Sequence, residues 1–506
     1  MKKILILCYS PDPHLLEFWF KKIRRQEPEA GLSLLLRHSL GEHAKALPSV
    51  RNCWTFPQES SRKVGRVKDI FSAAVLDPVR AQGFDELICF TGGLQGLKQA
   101  VWMQFALRTR IPKARFVESN GVERVLEQKD LQREWWRVRT NIKGEKHFLF
   151  SNWSMRMGHT KSLGIPTNYT IEPTNVCNLK CPICKTGIGT IERAQGIMSL
   201  ELYRTVLDKI GKYANNILLY GTGEPFLNKN IYEMIRLAKA RGIVVTMASN
   251  GTMFDAEQVV RSGLDELGIA IGGVTQETHS VYRVGGDLDL VLSNIRALVA
   301  AKKKLGSQTP RVLVDFVVQK HNQHQVDEVV DLALEMEVDS LFVCPTIVWD
   351  MGQANRFVSD DPQFSRYDAE AMAEGRLVPK DGAQRCALPW FSSLIQWNGK
   401  VSPCCGIELP RRADNGQGLT HAYDPLTYPL GDLSEEGVTW ESIWNGPKYQ
   451  KFREVFLSSE GASICKLCSG YDAPPLRKAE GQIMDQIPTE IDEAISAGDP
   501  LPVSSI

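Results

Sequence analysis

Three cysteines, Cys177, Cys181 and Cys184, stand close together in the stretch CNLKCPICKTG at 177–187. A closed structural zinc site takes four protein ligands, and this loop offers three. Three thiolates suit a different centre. In a [4Fe–4S] cube each iron takes one protein ligand, so three cysteines hold three irons and leave the fourth open. An open coordination position separates a working metal centre from a closed one.

The chain has 506 residues and 12 cysteines. Cys8, Cys53, Cys89 and Cys344 are isolated, and Cys8, Cys89 and Cys344 lie in apolar strand-like runs, where cysteine reads as a small buried hydrophobe. Five more cysteines gather towards the C-terminus: Cys386, the pair Cys404–Cys405, and Cys465 with Cys468 in CKLC. Four cysteines around one centre suit structural zinc or a fully ligated cluster, and spacing alone leaves both open. The N-terminus MKKILILCYSPDPH has too short an apolar stretch for a signal peptide and reads as a first strand. No stretch is long and apolar enough for a membrane helix. A cytoplasmic, thiol-reducing location is therefore expected, where many cysteines point to metal or catalysis. The net charge of +1 suggests neither a nucleic-acid nor a membrane surface. The basic run Lys21, Lys22, Arg24, Arg25 reads as a solvated helix face.

The elements that must position these groups alternate between strand and helix. In residues 1–150 the runs 3–8, 32–37, 85–90 and 114–119 are strand-like, and 96–109 has apolar residues at helical spacing. This predicts a Rossmann-like α/β domain. The turn TGGLQG at 91–96 lacks a G-x-G-x-x-G order and reads as structural. Residues 125–160 are charged and aromatic, as in a linker or bridging helix. From 165 to 350 six strands are expected, at 169–174, 216–221, 243–249, 266–271, 311–318 and 340–345, with helices at 199–214, 232–242 and 326–338 among them. Six βα units predict a partial (β/α)6 TIM-like barrel, with chemistry at the C-terminal ends of its strands. Residues 350–380 read as a polar connection. A small metal-held domain is expected over 381–475, and a mobile tail over 476–506.

On these residues the chain resembles the radical S-adenosylmethionine (SAM) superfamily. C-x3-C-x2-C after a first barrel strand is that family's signature. GTGEP at 221–225, after the second strand, resembles its GGEP motif, which implies that Gly221, Thr222, Gly223 and Glu224 hold the SAM amino group. Glycine suits a backbone that must approach a ligand closely. SNGT at 249–252 resembles the ribose-contacting turn and implicates Ser249 and Asn250. Arg283 matches an arginine that contacts the SAM carboxylate in relatives. Two positions depart from the family pattern. Gly272 stands where relatives carry an aspartate, and Ile183 where an aromatic residue is frequent.

The C-terminal cysteines, with Gly399, IWN and Arg453, resemble a SPASM/twitch domain. The resemblance implies one auxiliary [4Fe–4S] cluster on Cys386, Cys404, Cys465 and Cys468, with Cys405 spare. It also implies reductive cleavage of SAM to a 5′-deoxyadenosyl radical that takes a substrate hydrogen. The electron would come from an external donor such as flavodoxin or ferredoxin. The substrate is expected to be a small molecule or a peptide. Oxidation of a sugar, cyclitol or nucleotide-linked sugar is favoured, with the auxiliary cluster as electron acceptor or as a structural element. Peptide or protein maturation is the alternative, and a non-catalytic Fe–S carrier is the third. The carrier reading leaves GTGEP and SNGT without a purpose. Asp315, His321 and Glu408 are candidates for proton handling.

Overall fold

The computed structural model describes residues 2–8, 13–36, 47, 50–55, 73–90, 105–107, 109–117, 123–128, 130, 145–191, 193–380, 386–404 and 429–458. TGGLQG, Cys405, Glu408, Cys465, Cys468 and the tail 476–506 lie outside these residues.

One sheet contains β1 (Lys3–Cys8), β2 (Gly31–Leu36), β3 (Val50–Thr55), β4 (Glu86–Phe90), β5 (Lys113–Val117) and β6 (Glu123–Glu127), in the order β3-β2-β1-β4-β5-β6. Only the β5–β6 pair is antiparallel. After Lys3, β1 is apolar to its end because both of its faces are covered. Ile4 and Ile6 join one apolar core, and Leu5 and Leu7 join another with Leu76 and Val79 of the helix Ala73–Gln82.

The second sheet begins with β7 (Asn168–Ile171), β8 (Asn216–Leu218), β9 (Val244–Ser249), β10 (Glu266–Ile271), β11 (Arg311–Val318) and β12 (Ser340–Pro345), parallel neighbours in chain order. Then β13 (Ser392–Ile395) pairs in parallel with β7 on the other side, and β14 (Lys400–Ser402) and β15 (Gly431–Asp432) continue antiparallel. Helices intervene at Leu200–Ile210, Ile231–Lys239, Ala256–Ser262, Gln276–Tyr282, Leu288–Lys304 and Val326–Glu335. Ser199, Asp255, Thr275 and Asp287 start four of them by accepting a backbone N–H.

Burial alternates along these strands. On β11 Val312, Val314, Phe316 and Val318 are buried, whereas Leu313, Asp315 and Val317 are half-buried. The buried set packs with Val206, Ile235, Val259, Ile295 and Val330 of the helices. Among the described residues the helices thus cover one face of the sheet and leave the other without them. On β12 the side chain of Phe342 is 46% exposed.

Several expectations need correction. Residues 125–160 hold the helix Glu145–Arg156, as the bridging-helix reading expects, but begin inside a strand, β6. Residues 350–380 are more than a polar connection. They form helices at Met351–Phe357 and Ala369–Ala373, and Ala354, Phe357, Val358 and Tyr367 bury together with Val348 and Ile183. The basic run is not simply solvated. Lys21 pairs with Asp331 at 3.1 Å, and Lys22 donates to the carbonyls of Val338 and Asp339 at 3.1 Å each. Cys89 is buried as expected, but Cys344 is half-buried. Among the described residues no helix is long and apolar enough to cross a membrane.

Candidate functional site

β7 ends at Ile171, and the chain reaches Cys177 through Glu172-Pro-Thr-Asn-Val. Cys177 and Cys184 are half-buried and Cys181 is buried. The Leu179 N–H approaches Cys177 Sγ at 3.5 Å, and Asn250 Nδ2 approaches it at 3.8 Å. Arg283 Nη1 stands 3.9 Å from Cys181 Sγ. Burial pushes both thiols up, while Arg283 pulls Cys181 back and the neighbouring thiolates push it up. Three thiolates here repel one another, so the loop suits a cationic centre. Among the described residues no three His, Cys, Asp or Glu side chains gather as a single metal ion requires. A cube fits this spread, because each cysteine takes a separate iron.

GTGEP follows β8. A Cβ on Gly223 would lie 2.5 Å from Thr174 O and 2.6 Å from Val176 O, and one on Gly221 would lie 2.7 Å from Glu172 Cγ. The glycines are therefore demanded by the chain's own backbone and by Glu172, before any ligand is considered. The Glu224 N–H donates to Val176 O at 2.8 Å, which ties the loop to the approach to Cys177. The Glu224 carboxylate is buried and accepts from Phe226 N–H at 3.2 Å, Ser249 Oγ at 2.9 Å and Asn250 N–H at 2.8 Å. Burial raises its pKa, and these donors pull it back. Asn250 Nδ2 also donates to Asn178 Oδ1 at 2.8 Å. Glu224, Ser249, Asn250 and Cys177 thus meet at the carboxyl ends of β7, β8 and β9.

Arg283 follows the helix Gln276–Tyr282 and is the C-terminal cap of its last turn. Its Nε is buried without a hydrogen-bond partner, so the guanidinium has a donor to spare beside Cys181. Gly272 makes room for it. A Cβ there would already stand 3.0 Å from Arg283 Cγ, so an aspartate would crowd the arginine stem. Ile183 packs against Val348, Phe357 and Tyr282, and its carbonyl accepts from Trp349 Nε1 at 3.2 Å.

Three residues not singled out from the sequence, Glu172, Arg193 and Trp397, hold the same loops. Glu172 is buried and takes both arms of Arg193, at 2.7 Å and 2.6 Å. Arg193 Nη2 and the Thr222 hydroxyl also meet at 3.1 Å, and Thr222 Oγ1 donates to Glu172 at 2.9 Å. The only signal was an acid directly after β7. Trp397, in the β13–β14 turn, donates its indole N–H to Ala194 O at 3.1 Å and covers Gly196, where a Cβ would strike its ring at 2.5 Å.

Asp315 lies on the open face of β11, where burial raises its carboxyl to about 6. His321 follows β11, and burial pushes its pKa down. Neither residue is among the groups that meet at the cysteine loop. Cys386 precedes the short helix Leu388–Phe391 and Cys404 follows β14, and both are half-buried. The β13–β14 hairpin pairs Leu394 with Ser402. It therefore returns the chain towards the side from which Cys386 entered. Arg453 is buried between the rings of Trp444 and Tyr449 and donates to the carbonyls of Pro389, Thr160 and Trp444.

Three curated relatives span most of their own length in this chain. The tungsten-containing aldehyde ferredoxin oxidoreductase cofactor-modifying protein of Pyrococcus furiosus is 26% identical, over 60% of this chain and 87% of the relative. The AdoMet-dependent heme synthase of Methanosarcina barkeri is 25% identical, over 57% and 81%. The PqqA peptide cyclase of Gluconobacter oxydans is 24% identical, over 60% and 83%. The family description "Radical SAM superfamily" matches residues 171–336, and "Iron-sulfur cluster-binding domain", the SPASM family, matches 386–469. These domains imply [4Fe–4S] clusters and SAM, which the three-thiol loop and the spare Arg283 donor suit. The chain carries both domains of a radical SAM enzyme with a C-terminal SPASM domain.

Proposed function

We propose that this chain is a radical SAM maturase that takes hydrogen from a peptide or protein substrate. The observation that carries the enzymatic reading is the junction of the three-cysteine loop with Glu224, Ser249, Asn250 and Arg283 at the carboxyl ends of adjacent strands. Cys177, Cys181 and Cys184 would hold the cluster. Gly221, Thr222, Gly223 and Glu224 would line the SAM amino group, Ser249 and Asn250 the ribose, and Arg283 the carboxylate. When bound, the cluster and SAM supply a 5′-deoxyadenosyl radical, the hydrogen-abstracting agent. Arg283 offsets negative charge beside Cys181, and Glu224 fixes the Ser249–Asn250 turn.

The second sheet, with helices on one face, reads as a partial (β/α)6 barrel whose open face is the lumen. The order of the first sheet supports a Rossmann-like reading. Cys386, Cys404, Cys465 and Cys468 would hold one auxiliary cluster. The sugar or cyclitol substrate favoured from sequence has no support among the relatives above, whose names concern a cofactor, a heme and a peptide.

The test is anaerobic reconstitution with iron and sulfide, then reduction in the presence of SAM. Release of 5′-deoxyadenosine, abolished in Cys177→Ala, is expected, with about eight irons per chain for two cubes. Zinc without iron, or no 5′-deoxyadenosine, overturns the reading.

A further inference from the structure

Asp315 faces the lumen in the middle of β11, in register with Ala270 on β10 and Phe342 on β12. Its carboxyl leans over Gly268. A Cβ at that position would come within 2.6 Å of Oδ2, so glycine clears the space that the carboxyl occupies. The charged neighbours on either side have partners. Towards the strand starts, Glu266 faces Arg311 at 3.5 Å. Towards the strand ends, Arg283 stands against Cys181, with its Nε free and its charge also acting on Asp315. Asp315 has no such arrangement, for none of the described residues donates it a hydrogen bond.

Asp315 is half-buried, and a carboxyl partly withdrawn from water without a protein donor carries a desolvation cost that folding tolerates where function needs it. Burial raises Asp315 to about 6, with Arg283 opposing, so the group is largely ionised at neutral pH. Its surroundings are apolar on three sides: Leu313 and Val317 on its own strand, and Phe342, the 46% exposed side chain beside it. A hydrated metal ion finds one carboxylate and apolar walls here, which is a poor site. A neutral hydroxyl would add no charge to the partial compensation that Arg283 gives. A protonated amine on an apolar stem satisfies both the charge and the walls.

We propose that Asp315, with Phe342 beside it, is the substrate-anchoring subsite of the lumen and takes a protonated primary amine carried on an apolar stem. The proposal rests on the reading of this chain as a radical SAM enzyme whose lumen receives the substrate. It adds the chemical class of the group that is held.

The test uses the reconstituted holoenzyme with SAM bound. The probes are phenethylamine, protonated at neutral pH, and 2-phenylethanol, its uncharged counterpart, titrated by ligand-observed NMR. The amine is expected to bind about tenfold more tightly than the alcohol, the scale of one charge-assisted hydrogen bond. Asp315→Asn should abolish that preference, and Asp315→Glu should restore part of it. SAM affinity, read by equilibrium dialysis, should change by less than about twofold in Asp315→Asn. Equal binding of the two probes by the unaltered enzyme overturns the proposal, as does a preference that survives Asp315→Asn. A large loss of SAM affinity in Asp315→Asn also overturns it, since the carboxyl would then serve SAM. Release of 5′-deoxyadenosine by the unaltered enzyme is measured alongside. If it is absent, the enzymatic reading fails; if it is present without amine preference, only the anchor fails.

Discussion

Glu224 is a buried and Asp315 a half-buried carboxyl on the second sheet, and they differ in what donates to them. Glu224 accepts from Phe226, Ser249 and Asn250, whereas Asp315 accepts from nothing among the described residues. The contrast has a pH signature. Burial raises the Asp315 carboxyl from 3.8 to about 6 on folding, with the charge of Arg283 opposing; the like-charged Glu266 nearby is engaged by Arg311 at 3.5 Å. A raised acid contributes stability that is full below its unfolded pKa and is lost as pH rises through the folded one. Asp315→Asn removes that loss. In the apoprotein the variant should melt close to the unaltered chain near about pH 4, and above it at about pH 7.5, by on the order of 1–3 kcal/mol. Thermal midpoints across that window measure it. A variant that is less stable at the upper end would mean that Asp315 has a structural partner after all.

At the scale of elements, the loop between Cys184 and the helix Leu200–Ile210 is held by Arg193 on Glu172, and Glu172 holds Thr222 of GTGEP. Arg193→Gln would leave a buried carboxylate without its cation, at a cost of roughly 3–5 kcal/mol. The expected signature is a raised KM for SAM with the iron content of the Cys177 loop retained, since no cysteine is touched. Iron loss with an unchanged KM would show that the pair serves the cluster loop instead. This latch was not readable in advance, because it joins residues that only folding brings together. Local motifs were readable: three cysteines in one loop, GTGEP and SNGT carry their spacing in the chain itself. So were β1, β10, β11 and β12, whose apolar runs reflect buried faces. β3 and β6 were missed, because VRNCWT and ERVLE mix charged or polar residues into short strands at the sheet edges. β15 spans two residues and has no pattern to read.

Across the molecule, the two sheets are not separate bodies with a surface between them. Ile4, Ile6, Leu32, Leu34 and Ile88 of the first sheet share one apolar core with the helices and strands of the second. The helix Pro13–Gln26 joins them. Phe18, Trp19, Phe20 and Ile23 are buried there, and Lys22 caps the carbonyls of Val338 and Asp339 ahead of β12. Trp19 also lies 6.0 Å from the guanidinium of Arg311, the residue that partners Glu266 at the starts of β10 and β11. On the far side β13 extends the second sheet, so the SPASM region grows from the same hydrogen-bonded frame. Such continuity predicts one cooperative unfolding step for both sheets. Trp19→Ala removes a buried ring from the shared core and should cost about 3–5 kcal/mol. In calorimetry of the reconstituted enzyme, the main transition should move down as a single peak. SAM binding should disappear over the same temperature range, although Trp19 is remote from every residue assigned to SAM. Two resolved transitions, with only the first displaced by Trp19→Ala and SAM binding tracking the second, would show that the N-terminal sheet folds as an independent module.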